Sequence, residues 1–535
     1  MAGSGYTDLP GKPTSLWLGT TPSTDYAPLN DGSLAVDVAI VGGGLVGLTA
    51  ATLLKKEGQT VAVLEAGRIA AGVTGHTTGK LTSLHTLIYD HLIRNVGETK
   101  ARLYGEANQA AIELVAQLVQ ERGIDCDFVR DAAFTYTEVP SKVDSIEAEA
   151  KAAMRLGLPA SLVTETPLPF PVQAAVRFDN QARFHPRKYL LALAENLTGD
   201  GSYLFEETRV VDVTEGDPCT ITTERGTIMA REVILASHFP VPDPAMYFAR
   251  MAPHRSYVLA VRLDGDRTPP GMYITGETPY HSVRPHPLDD GTELLLIGGE
   301  GHKTGQGGDT VARYQRLEQW ARDRFPVASV EYRWSTQDNK TFDQIPFIGK
   351  ASPTSEHLYV GTGFGGWGMT GSTVAGMLLT DLILGRTNAW SEVYHPNRFN
   401  LESVPSLIKE NVDSAVHLVG DRLGRDKEAD VPPGEGVILE TDDGKVAAYR
   451  EPGGKLHRMS AVCTHMGCIV GWNPAEKSWD CPCHGSRFTA EGEVLHAPAV
   501  RGLGQKPVFR ENEDRVPQST PEGTPESVPQ EEKNT

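Results

Sequence analysis

Residues 36–67 read "VDVAIVGGGLVGLTAATLLKKEGQTVAVLEAG", and the order of their apolar runs and glycines indicates how the N-terminal half folds. The apolar run from Val36 to Val41 is typical of a buried parallel strand. It is followed by three glycines with the spacing G-x-G-x-x-G, namely Gly42, Gly44 and Gly47. A helical pattern then extends to about Glu57, and a second apolar strand ends at Glu65. The stretch therefore predicts a strand, a glycine turn, a helix and a second strand, as in a Rossmann-like α/β domain.

In this context the glycine spacing predicts a dinucleotide site. The glycines let the backbone approach a pyrophosphate at the N-terminus of the helix, and Glu65, 18 residues after the last glycine, is placed to accept from ribose hydroxyls. An ordinary glycine-rich turn is the alternative interpretation. The spacing alone leaves FAD and NAD both open as the dinucleotide.

Length and charge restrict the remaining possibilities. With 535 residues the chain is too long for one hydrophobic core, so we expect two or three domains. The net charge of -19 argues against a nucleic-acid partner or an anionic membrane surface. No uninterrupted apolar run approaches the ~20 residues that span a bilayer. The start, "MAGSGYTDLPGKP", lacks the pattern of a signal peptide, so we expect a cytoplasmic protein.

A second informative stretch, residues 461–488, reads "AVCTHMGCIVGWNPAEKSWDCPCHGSRF" and holds four of the six cysteines. Cys463 and His465 form C-x-H, Cys481 and His484 form C-x-x-H, and fifteen residues separate the two halves. Two thiolates and two imidazoles on paired loops suit a binuclear iron–sulfur centre. A structural zinc site is the alternative, but its four ligands would leave Cys468, Cys483 and the Gly-Ser that follows His484 without a role.

Both loops resemble those of the Rieske [2Fe–2S] domain, because C-T-H-x-G-C and C-P-C-H-G-S are present. The resemblance implies a disulfide between Cys468 and Cys483, although two free thiols in a reducing cytosol stay possible. It also implies a hydrogen bond from Ser486 to cluster sulfur. One position departs from the cytochrome bc-type pattern, since Phe488 stands where that family has a tyrosine.

Three further segments resemble the D-amino-acid oxidase/glycine oxidase-like superfamily of flavoenzymes. They are "AAGVTGHTTGKLTSLH" (70–85), "DQIPFIG" (343–349) and "EHLYVGTGFGGWGMTGSTVAGMLLTDLILG" (356–385). The resemblance covers about residues 30–395 and implies FAD as the cofactor. The cofactor-binding residues it implies are Gly42, Gly44, Val46, Gly47, Glu65, Ala66, Arg68, Thr74, Thr77, Thr78, Gly363, Gly365, Gly366, Trp367, Gly368, Met369 and Thr370. The glycines at 294–308 have the wrong spacing for a nicotinamide site, and we interpret them as a turn of the substrate domain.

The superfamily oxidises amines and amino acids at the flavin, which implies a small-molecule substrate with a CH–NH or CH–NH2 group. Its W-x-G-x-R-P arginine is missing here, because Gln337 and Asp338 follow Trp334, and this puts an α-amino-acid substrate in doubt. Three arginines could bind a carboxylate but are more readily explained as structural: Arg183, Arg255 and Arg333. The catalytic residues stay unknown.

Three residues are weak candidates for catalysis: His76, Trp334 and Gln337. His76 stands where some relatives attach flavin covalently, but we favour a histidine beside non-covalent FAD. We expect His85 to pack or cap, and His185 to precede a helix that starts with Pro186.

The predicted fold class combines α/β and α+β: a Rossmann-like FAD-binding domain with a mixed-sheet substrate domain, and an all-β Rieske domain. The predicted boundaries are an FAD-dependent oxidoreductase at 1–404, with its substrate subdomain at about 150–345, a helical linker at 405–426, the Rieske domain at 427–511 and a disordered tail at 512–535. The expected function is a dehydrogenase that passes electrons from FAD through the cluster to an external acceptor. A reductase with reversed electron flow, or a redox-sensing or scaffold protein, is the alternative.

Overall fold

A computed structural model describes residues 9–30, 32–265, 268–398, 431–441 and 444–505. The linker predicted at 405–426 and the tail predicted at 512–535 lie outside these ranges. Within them, the helices are α1 Leu16–Gly19, α2 Leu45–Lys56, α3 Ile88–Val96, α4 Glu98–Arg122, α5 Val143–Arg155, α6 Pro186–Glu195, α7 Thr310–Arg324, α8 Gly368–Ile383 and α9 Ser391–Tyr394. In the part of the chain described, no helix combines the length and the apolar character needed to cross a membrane.

The first sheet is built around the opening strand of the sequence motif. Its strands are β1 Ser33–Val41, β2 Val61–Leu64, β7 Tyr203–Phe205, β8 Val210–Thr214, β9 Cys219–Thr223, β10 Thr227–Leu235, β16 Phe347–Lys350 and β17 Leu358–Thr362. The order is β16-β17-β10-β1-β2-β7, with β8 and β9 as a hairpin beside β10. The strands from β17 to β7 run parallel, and β16 is antiparallel. The predicted Rossmann-like fold, a parallel sheet in which the glycine turn and α2 connect β1 to β2, is confirmed.

Helices α2 and α8 pack on this sheet and on each other. Their close approach needs a small residue, because a Cβ at Gly376 would lie 2.6 Å from the side chain of Thr49. Buried Leu48 and Leu54 on α2 meet Val374 and Leu378 on α8 in one apolar core. This packing fixes the N-termini of both helices at the same end of the sheet.

The second sheet has nine strands that come from widely separated segments. They are β3 Lys80–Leu81, β4 Val129–Thr137, β5 Ala160–Val163, β6 Ala174–Arg183, β11 Met251–Leu263, β12 Met272–Thr275, β13 Ser282–Pro287, β14 Glu293–Lys303 and β15 Val327–Thr341. The strands β3 and β4 precede residue 150, while β7 to β10 lie within 150–345 and belong to the first sheet. The substrate domain is thus mixed, as predicted, but its chain is discontinuous. The run 294–308 is mostly β14 of this sheet.

The C-terminal domain consists of β-strands in two small antiparallel sheets. One contains β18 Gly436–Thr441, β19 Gly444–Arg450 and β20 Leu456–Ser460; the other contains β21 Gly471–Asn473, β22 Ser478–Asp480, β23 Arg487–Thr489 and β24 Val494–His496. The core between them holds Met459, Trp479 and Phe488, all fully buried. The four cysteines of the C-terminal stretch lie in this same core.

Candidate functional site

The glycine turn after β1 forms a cradle that side chains would fill. Gly42 has φ +117°, and a Cβ there would lie 2.6 Å from the carbonyl oxygen of Ala236. A Cβ at Gly47 would lie 2.0 Å from the carbonyl oxygen of Gly42, so only glycine lets α2 start this close to the strand. Gly44 caps α2 without a side-chain hydrogen bond of its own. The N–H of Leu45 in the first turn donates to the hydroxyl of Thr74 at 3.3 Å, and the positive end of the helix dipole remains to attract an anion.

Glu65 at the end of β2 is held by two backbone groups. Its carboxylate accepts from the N–H of Gly43 and from the N–H of Gly67, each at 2.8 Å. Burial raises the pKa of this carboxyl above its ordinary value. The side chain is therefore fixed at the mouth of the glycine cradle, where the sequence motif expects a ribose acceptor.

A cavity of about 1070 Å³ extends from this cradle to the N-terminus of α8 and the inner face of the second sheet. This volume and the cradle fit FAD. Most of the cofactor-binding residues predicted from the sequence line it, namely Gly42, Gly44, Val46, Glu65, Ala66, Thr74, Thr77, Thr78, Gly363, Gly365, Gly366, Trp367, Gly368 and Met369. His85 also lines the cavity, and its ring stacks on that of Trp367 at 4.7 Å.

Three of the predicted cofactor-binding residues do not appear among the described residues that line the cavity. Gly47 lies beneath the cradle and acts through close packing. Arg68 pairs with Glu206 at 2.9 Å. Thr370 is buried and donates to the carbonyl oxygen of Thr82 at 3.1 Å.

The three candidate catalytic residues lie away from the described lining of the cavity. The Nδ1 of His76 bonds the carbonyl oxygen of Gly72 at 2.8 Å, and Trp334 donates to the carbonyl oxygen of His76 at 2.8 Å. Gln337 donates to the carbonyl oxygen of Gly485 in the C-terminal domain at 2.9 Å. These hydrogen bonds tie the three side chains to backbone carbonyl oxygens.

Other ionisable side chains line the described part of the cavity, among them four that were not predicted from the sequence to do so: Lys80, His254, Asp338 and Lys340. Burial, together with nearby Arg284, lowers the pKa of Lys80 to about 7, and burial raises that of Asp338 to about 6. Burial also lowers the pKa of His254 to about 3 and lowers that of Lys340. Alternation along β15, which turns every second residue toward the cavity, is a signal that could have identified Asp338 and Lys340.

The three arginines considered as carboxylate binders all have partners. Arg183 pairs with Asp131 at 3.0 Å, and Arg333 donates to three backbone carbonyl oxygens near residue 10. Arg255, 1% exposed, pairs with Glu476 of the C-terminal domain. These contacts support a structural interpretation of Arg183 and Arg333. Arg255, in contrast, also lines the cavity, and its Nε and Nη1 are buried without a hydrogen-bond partner among the described residues. His185 caps α6, whose first residue is Pro186, as predicted.

The second site gathers the two predicted loops of the C-terminal domain. The thiols of Cys463 and Cys481 are buried and hydrogen-bonded to each other. That bond, and then the N–H groups of His465 and Met466, lower the pKa of Cys463 to about 6. The N–H groups of Cys483 and His484 point at the sulfur of Cys481. Thiolates surrounded by N–H donors are the environment that iron–sulfur clusters need.

The two histidines complete this ligand set. The rings of His465 and His484 lie 5.2 Å apart and are nearly perpendicular, at 89°. The Nδ1 of His484 is buried and finds no hydrogen-bond partner in the part of the chain that the structure describes, which leaves it free to bind a metal ion. Two thiols and two imidazoles with these properties fit a [2Fe–2S] cluster.

The residues next to these ligands support the loops. Cys468 and Cys483 form a disulfide that joins the two loops, so the free-thiol alternative is not adopted. The hydroxyl of Ser486 is hydrogen-bonded to the Cys463 thiol and accepts from the N–H of Ala499 at 3.0 Å. Phe488 is fully buried on β23.

Comparison with known proteins agrees with this geometry. The family described as DAO, FAD dependent oxidoreductase, matches residues 37–382, and the Rieske [2Fe-2S] domain matches residues 424–508. The Rieske 2Fe-2S iron-sulfur protein YhfW of Bacillus subtilis (strain 168) is 40% identical over 92% of this chain and 97% of its own. Gamma-glutamylputrescine oxidoreductase of Escherichia coli (strain K12) is 24% identical over 69% of this chain and 90% of its own.

Solved structures show the same fold for the N-terminal part. Glycine oxidase from Geobacillus kaustophilus superposes with a TM-score of 0.57 at 21% identity, covering 68% of this chain and 99% of that one. The chain therefore belongs to the DAO family of FAD-dependent oxidoreductases and carries a C-terminal Rieske [2Fe–2S] domain.

Proposed function

We propose that the protein is a dehydrogenase that oxidises a small amine or amino-acid-like compound at a CH–NH or CH–NH2 group. The electron pair goes to FAD and leaves singly through the [2Fe–2S] cluster to an external acceptor. The names of two similar proteins, a gamma-glutamylputrescine oxidoreductase and a glycine oxidase, support an amine or amino acid as the donor class.

The docking of the cluster loops on the flavin domain carries the proposal. Gln337 on β15 donates to the carbonyl oxygen of Gly485, the residue after the ligand His484. The ring of Phe248 in the N-terminal domain lies 5.5 Å from that of His465 and 5.1 Å from that of His484. A one-electron carrier held against a flavin site has a high effective concentration for transfer within one molecule. This arrangement supports a two-electron oxidation that serves a one-electron acceptor.

The cavity residues can handle the proton of the substrate. An amine is mostly protonated near neutral pH and must lose a proton before its C–H bond can be oxidised. Burial lowers the pKa of Lys80 to about 7, so its Nζ is a neutral base above that pH. Burial raises the pKa of Asp338 to about 6, so this side chain is a carboxylate above about pH 6. Either group can therefore take the ammonium proton at a working pH, while FAD supplies the acceptor for the electron pair.

An anaerobic screen of amines and amino acids tests this proposal. A donor should bleach the flavin absorbance, and the Rieske signal should follow in the same sample. The matched control is the double variant Cys463→Ser with Cys481→Ser, in which the donor should still bleach the flavin while no cluster signal forms. Bleaching by a reduced external carrier, with no amine effective, would instead favour the reversed flow.

A further inference from the structure

The flavin cavity does not end at the N-terminal domain. Five residues of the C-terminal domain line the same cavity as the glycine cradle: Leu495, His496, Ala497, Ala499 and Val500. They form one loop, residues 495–500, which begins at the end of β24. This loop is short, and it brings the side chains of Leu495 and His496, together with smaller ones, against a site that belongs, by sequence, to another domain.

The loop meets the cavity next to His238. The carbonyl oxygen of His238 accepts from Thr362 at 2.5 Å and from Asn339 at 3.4 Å, and the residues after these two, Gly363 and Lys340, line the cavity. Among the described residues, the buried Nε2 of His238 has no hydrogen-bond partner. The ring of His496 in the loop lies 6.2 Å from that of His238.

The same loop is bonded to the cluster site. The N–H of Ala499 donates to the hydroxyl of Ser486 at 3.0 Å, and this hydroxyl is hydrogen-bonded to the thiol of Cys463. Along this path, Ser486 alone lies between the predicted iron ligand Cys463 and Ala499, which is part of the cavity wall. This approach is on the cysteine side of the cluster, while Phe248 covers the histidine side.

Buried polar contacts hold the C-terminal domain, and with it the loop, in this position. Glu476 in the turn after β21 is paired with Arg255 on β11, bonded to Ser335 on β15, and paired with Arg487 of its own domain at 2.6 Å. Thr310 at the start of α7 donates to Asn473 of the C-terminal domain at 2.8 Å. An ion pair buried in this way is costly to open, because each charge would lose its partner.

We propose that the FAD site is shared by the two domains: loop 495–500 forms part of its wall, and Glu476 is the residue that fixes the loop there. FAD thus binds at a site that is complete only when the C-terminal domain is docked. The same wall gives electrons a direct route toward Ser486 and Cys463. Cofactor binding can be measured without turnover. The shared site can therefore be tested separately from the proposed reaction, and either can fail while the other holds.

Quenching of flavin fluorescence by iodide in the full-length, FAD-loaded protein tests this inference. Ligand pockets bury about 70–90% of a ligand's surface, so uncovering one wall should raise the quenching constant about two- to threefold. We expect this rise in Glu476→Gln, which opens the docking contact, and in His496→Ala, which removes a wall side chain. Glu476→Asp, which keeps the charge, should restore much of the protection.

The matched control is Glu451→Gln. Glu451 lies in the same domain and contacts His457 at 2.5 Å and Lys455 at 3.6 Å. It has no contact with the N-terminal domain among the described residues, so the quenching constant of this variant should equal that of the unaltered protein. Each variant is first checked for iron and FAD content, and Ser335→Ala replaces Glu476→Gln if that variant does not retain iron. Unchanged quenching in both the docking variant and His496→Ala would overturn the proposal. A change in His496→Ala alone would keep the shared wall and overturn the role of Glu476.

Discussion

The buried pair between Arg255 and Glu476 should make a large, pH-dependent contribution to stability. Burial alone would raise the pKa of Glu476, but the guanidinium groups of Arg255 and then Arg487 outweigh it and lower the pKa from 4.5 to about 2. At about 1.4 kcal/mol for each pKa unit, this difference corresponds to about 3 kcal/mol. The side chain of Glu476 is only 17% exposed, so solvent screening reduces this figure little.

The sign follows from the lowered pKa. The contribution of the carboxylate is fully present above pH 4.5 and is lost as the pH falls toward 2. Glu476→Gln should therefore cost about 3 kcal/mol at pH 7 but only about 1.5 kcal/mol at pH 3, where part of the unaltered protein's advantage has gone. Guanidinium unfolding, followed by the visible circular dichroism of the cluster, measures both values.

A double-mutant cycle isolates the pair. Removing one partner of a buried pair costs about 3–5 kcal/mol, because the other charge is left unpaired. Arg255→Met combined with Glu476→Gln should therefore cost at least about 2 kcal/mol less than the sum of the single changes. Glu451→Gln, at a surface carboxylate that contacts His457 and Lys455, should cost much less than Glu476→Gln. Additive costs, or a Glu476→Gln cost that does not change with pH, would refute this reasoning.

Three other outcomes are expected. Acid precipitation should release free FAD into the supernatant, since His76 lies away from the described lining of the cavity; colour that stays in the pellet and is lost in His76→Ala would contradict this. Phe488→Tyr should raise the cluster potential by tens of millivolts in protein-film voltammetry, as one added hydrogen bond of about 1 kcal/mol would, and an unchanged potential would show that the hydroxyl does not reach the cluster. Once a donor is known, Lys80→Met should slow flavin reduction and remove a rise with pH centred near 7, whereas an unaltered pH profile would exclude Lys80 as the base.

The sequence predicted what depends on local spacing. The glycine turn and α2 follow from apolar periodicity and from the glycines at 42, 44 and 47, and the structure places them together. The predicted iron ligands likewise lie in two short loops, whose cysteines and histidines can be identified without knowing the rest of the fold.

The cavity residues were harder to predict because they depend on strand orientation. Antiparallel pairing sets His254 opposite Asp338 and Arg255 opposite Gln337, and neighbouring residues on a strand point to opposite faces. Asp338 therefore lies at the cavity, while Gln337 reaches the C-terminal domain. Once strand β15 and its register are known, this assignment is simple.

The domain contact could not have been predicted from local patterns. Arg255 and Glu476 are 221 positions apart, and neither stands in a recognisable motif. The order in which the two sheets take their strands was equally out of reach, because both sheets take strands from either side of residue 150. Such contacts depend on which distant residues pair in the folded chain, and the composition of the sequence does not show this pairing.

Electron transfer between the two centres is the central claim, and anaerobic photoreduction tests it without a known substrate. Light with an external electron donor reduces the flavin in intact protein, and the absorbance of the flavin and the reduced-state magnetic resonance signal of the cluster are then followed together. We predict that the cluster signal, with an average g below 2, grows as the flavin reoxidises, and that Cys463→Ser with Cys481→Ser leaves the flavin reduced. If the flavin of intact protein stays reduced over minutes beside an oxidised cluster, although the measured potentials favour transfer, the account is contradicted, and a sensing or scaffold role replaces it.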